Sequence, residues 1–109
     1  MQEYYKLRYK EDISLITDGK YGLIPIGNMK YVAARQYHED TRVVMPPSRE
    51  EVVIPESDYL VRDVMSLKYY ILSEEAMNKH FEKIDKLPKK VSKYLEMPIE
   101  EAYLEISGG

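Results

Sequence analysis

The sequence predicts an α+β domain: an antiparallel β-sheet, built as a hairpin plus a meander, followed by C-terminal helices packed on it. Three observations carry this expectation. Short β-prone runs separated by Asp-Gly, Gly-Asn and Pro signals fill residues 1–72. Apolar residues then recur at helical spacing from Met77 onward. The two kinds of element are segregated along the chain, which favours α+β over an alternating parallel arrangement.

Residues 3–10 alternate, with Tyr5, Leu7 and Tyr9 on one side and Tyr4, Lys6, Arg8 and Lys10 on the other, as a half-buried strand does. Ile13-Ser14-Leu15-Ile16-Thr17 and Lys20-Tyr21-Gly22-Leu23-Ile24 flank Asp18-Gly19. That pair predicts a hairpin with a type I′ turn, which needs positive φ at both positions. Pro25 and Gly27-Asn28 end this unit. Residues 29–37 read as a further strand, although Val32-Ala33-Ala34-Arg35-Gln36 also admits a helix. Arg42-Val43-Val44-Met45 is a short strand closed by Pro46-Pro47.

A meander is expected next: Val52-Val53-Ile54, a turn at Pro55-Glu56-Ser57-Asp58, then Tyr59-Leu60-Val61-Arg62-Asp63, then residues 67–72. Ser73 is placed to cap a helix, with Glu74 and Glu75 in its first turn and Met77, Phe81 and Ile84 on its apolar face. Pro88 ends that helix and opens a second, carrying Val91, Tyr94 and Leu95. After Pro98, a third short helix through Ile99, Ala102, Tyr103 and Ile106 competes with a terminal strand, Tyr103-Leu104-Glu105-Ile106.

The chain of 109 residues is expected to form one domain, strand-rich over 1–72 and helical over 73–106. Apolar residues make up 44% and charged residues 32%, a globular balance rather than a disordered one. There is no cysteine, so disulfides and thiolate metal sites are excluded, and a reducing cytosol is the expected compartment. No apolar run approaches the ~20 residues of a spanning helix, and the amino terminus lacks the apolar core of a signal peptide. A net charge of -3 argues against direct nucleic-acid binding, which normally needs a basic excess.

No catalytic constellation emerges, and the protein is expected not to be an enzyme. No Ser stands in a nucleophile elbow. The neighbouring carboxylates Glu11-Asp12, Glu50-Glu51, Glu74-Glu75 and Glu100-Glu101 suit solvated turns and helix starts better than a cleft with separated pKa values. His38-Glu39-Asp40 is the one trio with metal-ligand chemistry, but its pattern is too common to assign a metal, and no cofactor is expected. Lys79, Lys83, Lys86, Lys89, Lys90 and Lys93 read as a wet helix face, with Glu82–Lys86 and Asp85–Lys89 as i,i+4 pairs. The 11 tyrosines, set against one Phe and no Trp, suit strands first and binding surfaces second. The expected ligand- or partner-binding residues are Tyr31, Arg35, Tyr37, His38, Arg42 and Arg49, which combine aromatic rings with guanidinium forks suited to phosphate or carboxylate.

Residues 52–84 resemble the C-terminal half of small bacteriophage and prophage domains of Gram-positive hosts. Ser57-Asp58-Tyr59-Leu60-Val61 matches their turn and second strand, Tyr69-Tyr70-Ile71-Leu72 their third strand, and Ser73-Glu74-Glu75-Ala76-Met77 with Phe81 their helix. Glu56-Ser57 replaces the usual Pro-Gly, and Met77 stands where an aromatic is usual. The resemblance implies an α+β fold and a phage origin and transfers no function. By analogy with the small acidic proteins by which phages block host defence, the leading expectation is a phage accessory protein that acts by stoichiometric binding, inhibiting a host defence protein. The alternative is a small oligomer that sequesters an anionic small molecule such as a nucleotide signal. A third is a phage structural or assembly component. Oligomeric state is not readable from these residues.

Overall fold

The computed structural model describes residues 2–8, 15–26, 30–45, 48–64, 68–92 and 104–106. Strands dominate: β1 (Glu3–Leu7), β2 (Leu15–Asp18), β3 (Gly22–Pro25), β4 (Tyr31–Gln36), β5 (Thr41–Met45), β6 (Glu50–Ile54), β7 (Tyr59–Asp63) and β8 (Tyr69–Leu72). Helix α1 (Glu74–His80) follows, then β9 (Phe81–Ile84), the single turn α2 (Lys89–Ser92) and β10 (Leu104–Ile106). The architecture is α+β, mostly antiparallel sheet with one short helix. The described strands form a five-stranded sheet in the order β8-β7-β4-β1-β9, a three-stranded sheet β10-β5-β6 and the two-stranded ribbon β2-β3.

The five-stranded sheet is covered on both faces. On one face Tyr5, Leu7, Val32, Ala34, Tyr59, Val61, Leu72 and Phe81 form a core with Met77 of α1 and Ile16 of β2. On the other, Leu60 packs with Tyr37, Val43 and Ile54 of the smaller sheet, while Ala33 and Val64 meet Leu87 and Val91 around α2. Burial on both sides explains why every residue of β7, Arg62 and Asp63 included, is buried. Arg62 stands opposite Tyr69 across the β7–β8 ladder. Burial raises the Tyr69 phenol pKa, and the nearby guanidinium opposes that rise.

Two corners join the sheets. The chain leaves β4 for β5 through residues 37–40 and returns from β6 to β7 through Pro55-Glu56-Ser57-Asp58. These crossings run side by side: Tyr37 N–H donates to Asp58 O (3.0 Å) and Ser57 N–H to Tyr37 O (2.8 Å). Asp58 N–H closes the second turn onto Pro55 O at 3.1 Å, with Ser57 at φ 75. Left-handed backbone of this kind is cheap only for glycine, so Ser57 is strained there.

Four expectations need correction. The meander forms only in its second half: β7 pairs antiparallel with β8, but β6 pairs with β5 instead of β7; Ile54 is drawn into the second core, so the Pro55 turn changes sheet instead of closing a hairpin. The first helix stops at His80. Phe81 takes extended angles (φ -125, ψ 153), its N–H closes α1 on Met77 O, and residues 81–84 become the edge strand beside β1. Glu82 therefore reaches Lys6 (3.0 Å) and Arg8 (3.7 Å) across strands rather than Lys86 along a helix. The hairpin forms with Asp18 opposite Gly22, and Gly22, not Asp18-Gly19, carries the positive φ (83). C-terminal helices in the plural are not seen: the described part of 73–106 holds α1, the turn α2 and two strands. Its last strand, β10, pairs antiparallel with β5, so Leu104–Ile106 follows the terminal-strand reading, and the third helix through Ile99, Ala102, Tyr103 and Ile106 fails at Ile106; residues 93–103 lie outside the described residues.

Candidate functional site

A pocket of about 350 Å³ is lined by Glu3, Tyr5, Ala34, Arg35, Gln36, His38 and Tyr59. Strand register builds it. Glu3 stands opposite Ala34 across β1–β4, and Gln36 opposite Tyr59 across β4–β7. Side chains two apart share a face, so Glu3, Tyr5, Ala34, Gln36 and Tyr59 all project to the same side of the sheet. Ala34 has the smallest side chain in this set, and the two tyrosines meet around it with ring centroids 6.2 Å apart at 87°.

Hydrogen bonds fix the lining. Tyr5 OH donates to Glu3 Oε2 (3.3 Å), which also receives Lys83 Nζ at 3.1 Å. Burial, with Tyr59 and Glu3 close by, pushes the Tyr5 phenol well above its ordinary pKa, so it keeps its proton. Gln36 Nε2 donates to Ser57 O (3.0 Å) and Glu74 Oε2 (2.6 Å), tying β4 to the corner and to α1. The Arg35 guanidinium lies over the Tyr37 ring, 4.9 Å from its centroid.

The β2–β3 hairpin braces the corner from which Tyr59 projects. Asp58, 4% exposed, accepts from Lys20 Nζ (2.8 Å) and Tyr21 OH. Burial and that bond raise the Tyr21 pKa. Asp18, 1% exposed, accepts from Ser73 N–H (2.7 Å), Lys20 N–H (2.8 Å) and Tyr21 N–H (3.3 Å). Its burial favours the neutral acid, but these three donors outweigh it and hold the pKa below the usual carboxylate value. The Ser73 hydroxyl in turn accepts from Ala76 N–H, capping α1 as the sequence predicts. His80 Nε2 sits 3.2 Å from Thr17 O, a second tie between the helix and the hairpin.

Of the residues singled out from the sequence, Arg35, Tyr37 and His38 come together. Arg35 and His38 line the pocket, while Tyr37 is buried beneath Arg35 in the second core. The others lie elsewhere. Tyr31 packs against the Ala33–Leu87 cluster. Arg42 pairs with Glu51 on the smaller sheet. Arg49 is exposed in the β5–β6 reversal at φ 62. Asp40 of the His38 trio accepts from Glu56 N–H at 2.8 Å, a structural task. Among the described residues no three His, Asp or Glu side chains converge as metal ligands, and no described helix is long and apolar enough to cross a membrane. Glu3, Tyr5, Gln36 and Tyr59 are pocket residues the sequence did not signal as such.

No protein-family model matches the chain, and no curated protein or solved structure is significantly similar to it.

Proposed function

We propose that the protein works by stoichiometric binding, without catalysis, and that its binding element is this pocket, which takes an anionic small molecule. The observation that carries the reading is one cavity lined by Arg35 and His38 beside two tyrosines, Tyr5 and Tyr59. Its volume lies at the lower end of the ~300–1,000 Å³ usual for small-molecule sites. Arg35 is charged at every accessible pH, so its field favours an anion in the cavity it lines. The one carboxylate in the lining, Glu3, is offset by Lys83 at 3.1 Å.

Thermal melting against a panel of small anions (phosphate, sugar phosphates, nucleotides, dicarboxylates) tests this. A true ligand at 100 times its Kd stabilises by about 2.7 kcal/mol, and Arg35→Ala abolishes the shift. A flat panel, or a shift that survives Arg35→Ala, refutes it.

The second reading, a phage accessory protein that inhibits a host protein, rests on a different surface. Leu15, Thr17, Leu23 and Pro25 share the outer face of the β2–β3 ribbon, all exposed, with Leu23 at 66%. Two exposed leucines on one ribbon face suit a protein contact.

A further inference from the structure

Asp18-Gly19 has a chemistry of its own, separate from the turn it begins. In an open chain the backbone nitrogen after an aspartate attacks the side-chain carboxyl carbon, water leaves, and a succinimide ring closes. Hydrolysis returns aspartate or isoaspartate, whose backbone runs through the side-chain carboxyl carbon. Glycine in the second position closes fastest, because no side chain shields the attacking nitrogen. Gly19 is exposed, and a Cβ placed on it would meet no atom within 4 Å. The positive φ of this hairpin belongs to Gly22, so left-handed backbone does not demand a glycine at Gly19.

The seat of the carboxylate holds this reaction back. Asp18 Oδ1 accepts from Lys20 N–H (2.8 Å) and Tyr21 N–H (3.3 Å), and Oδ2 from Ser73 N–H (2.7 Å). Turning the carboxyl carbon onto Gly19 N would break bonds at both oxygens of a residue only 1% exposed. The same donors keep the group ionised, and a carboxylate without its proton is the poorer substrate for loss of water. Lys20 and Tyr21 belong to the turn itself. Ser73 alone is distant in sequence, so its bond exists only while the ribbon is docked on the start of α1.

We infer that Asp18-Gly19 is a latent isoaspartate site, held shut by the Ser73 N–H and opened when the β2–β3 ribbon leaves the start of α1. The step needs nothing but water. A bond forms between Gly19 N and Asp18 Cγ, a carboxyl C–O bond breaks, and the oxygen leaves as water with the amide proton. Water then cleaves the bond between Gly19 N and the Asp18 backbone carbonyl carbon. The product carries its free carboxylate directly on Cα and a backbone one methylene longer, so it no longer presents two oxygens to the same three donors. Release of the ribbon, reversible at first, becomes permanent in the fraction that isomerises.

The test incubates the full chain at neutral pH, in native buffer and in denaturing urea, with peptide mapping that separates isoaspartate from aspartate at Asp18. The native chain is expected to isomerise at least tenfold more slowly than the unfolded one. Ser73→Pro removes the N–H at a residue whose φ of -69 proline adopts, and should bring the native rate most of the way to the unfolded rate. Ser73→Ala keeps the N–H, loses only the cap hydroxyl, and should stay slow. Circular dichroism and melting temperature establish that both variants are folded. Equal rates in native buffer and urea overturn the inference. So does a folded Ser73→Pro chain as slow as the parent, or a Ser73→Ala chain as fast as Ser73→Pro. Where Ser73→Pro does not fold, the unmutated chain in sub-denaturing urea replaces it: isomerisation should rise in step with exchange of the Ser73 amide, and a rate that follows global unfolding alone overturns the tie.

Discussion

Replacing Asp18 by Asn should unfasten the hairpin from the start of α1, and the structure allows the cost to be worked out. The carboxylate accepts three N–H groups at 2.7, 2.8 and 3.3 Å while almost wholly buried. Asn keeps one acceptor oxygen. If that oxygen stays with Lys20 and Tyr21, the amide nitrogen faces the Ser73 N–H, donor against donor. A buried N–H left unpaired costs about 1–3 kcal/mol, and the lost charge weakens the bonds that remain. The expected total is about 2–3 kcal/mol at pH 7, a fall of roughly 10 °C in melting temperature for a domain of this size. The pH dependence gives a second signature. Because the folded-state pKa of Asp18 is depressed, its stabilisation is complete above the unfolded carboxylate value of about 3.9 and is lost as pH falls through the lower folded value. Urea unfolding from pH 7 to pH 2.5 should therefore show the gap between the two proteins closing below about pH 4. Asp40→Asn, an exposed carboxylate with a single bond to Glu56 N–H, is the control and should change stability by less than about 0.5 kcal/mol. A gap constant across the whole pH range, or a Ser73 amide as protected from exchange in the variant as in the parent, would refute the anchor.

Three further substitutions probe other parts of the fold. Ser57→Gly relieves left-handed strain of about 1–2 kcal/mol and gives back about 0.5–1 kcal/mol in chain entropy. The melting temperature should rise by a few degrees, and a fall would contradict the turn geometry. Phe81→Ala removes a ring that is 1% exposed at the junction of α1 and β9, at a cost of about 3–5 kcal/mol in urea unfolding. A loss below 1 kcal/mol would show that Phe81 does not close the first core. Leu23→Ser, at 66% exposure, should leave stability within about 0.5 kcal/mol. If the ribbon face binds a host protein, the same change removes that binding, and retention of a partner by the variant would place the contact elsewhere.

What the sequence made legible was local. Strand β7 falls on Tyr59–Asp63 as its β-branched and aromatic content predicts. The Ser73 cap is recognisable from one hydroxyl followed by two acids. Failures began where a distant partner decides. Met77, Phe81 and Ile84 satisfy a helical period, and nothing within those residues says that β1 has an open edge that Phe81-Glu82-Lys83-Ile84 will fill. Only the pairing of Leu7 with Phe81, far apart in the chain, selects the strand. The Pro55 turn likewise announces a reversal without naming the sheet into which the chain reverses. Ile54 and Leu60 decide that by packing on opposite sides of the same corner.

The pocket divides along the same line. Arg35, Tyr37 and His38 lie within four residues, so local reading could group them; Arg42 and Arg49 looked like their companions only because they are near in sequence, and β5–β6 carries them into the other sheet. Glu3, Tyr5 and Tyr59 converge through the registers Glu3↔Ala34 and Gln36↔Tyr59, which no short window contains. Ala34, small between its bulkier same-face neighbours Val32 and Gln36, was the one available hint of a hollow. Because side chains alternate with period two, a slip of one residue in β1 against β4 would turn Tyr5 and Glu3 to the opposite face and abolish the pocket. What defends that register lies outside the lining: Leu7, Val32 and Phe81 in the first core, and Tyr4 and Ala33 on the other face. A ligand seated between β1 and β4 would favour the same register. Stability and binding should therefore be linked in both directions, with ligand raising the melting temperature and core substitutions at Leu7 or Phe81 weakening affinity without touching the ligand.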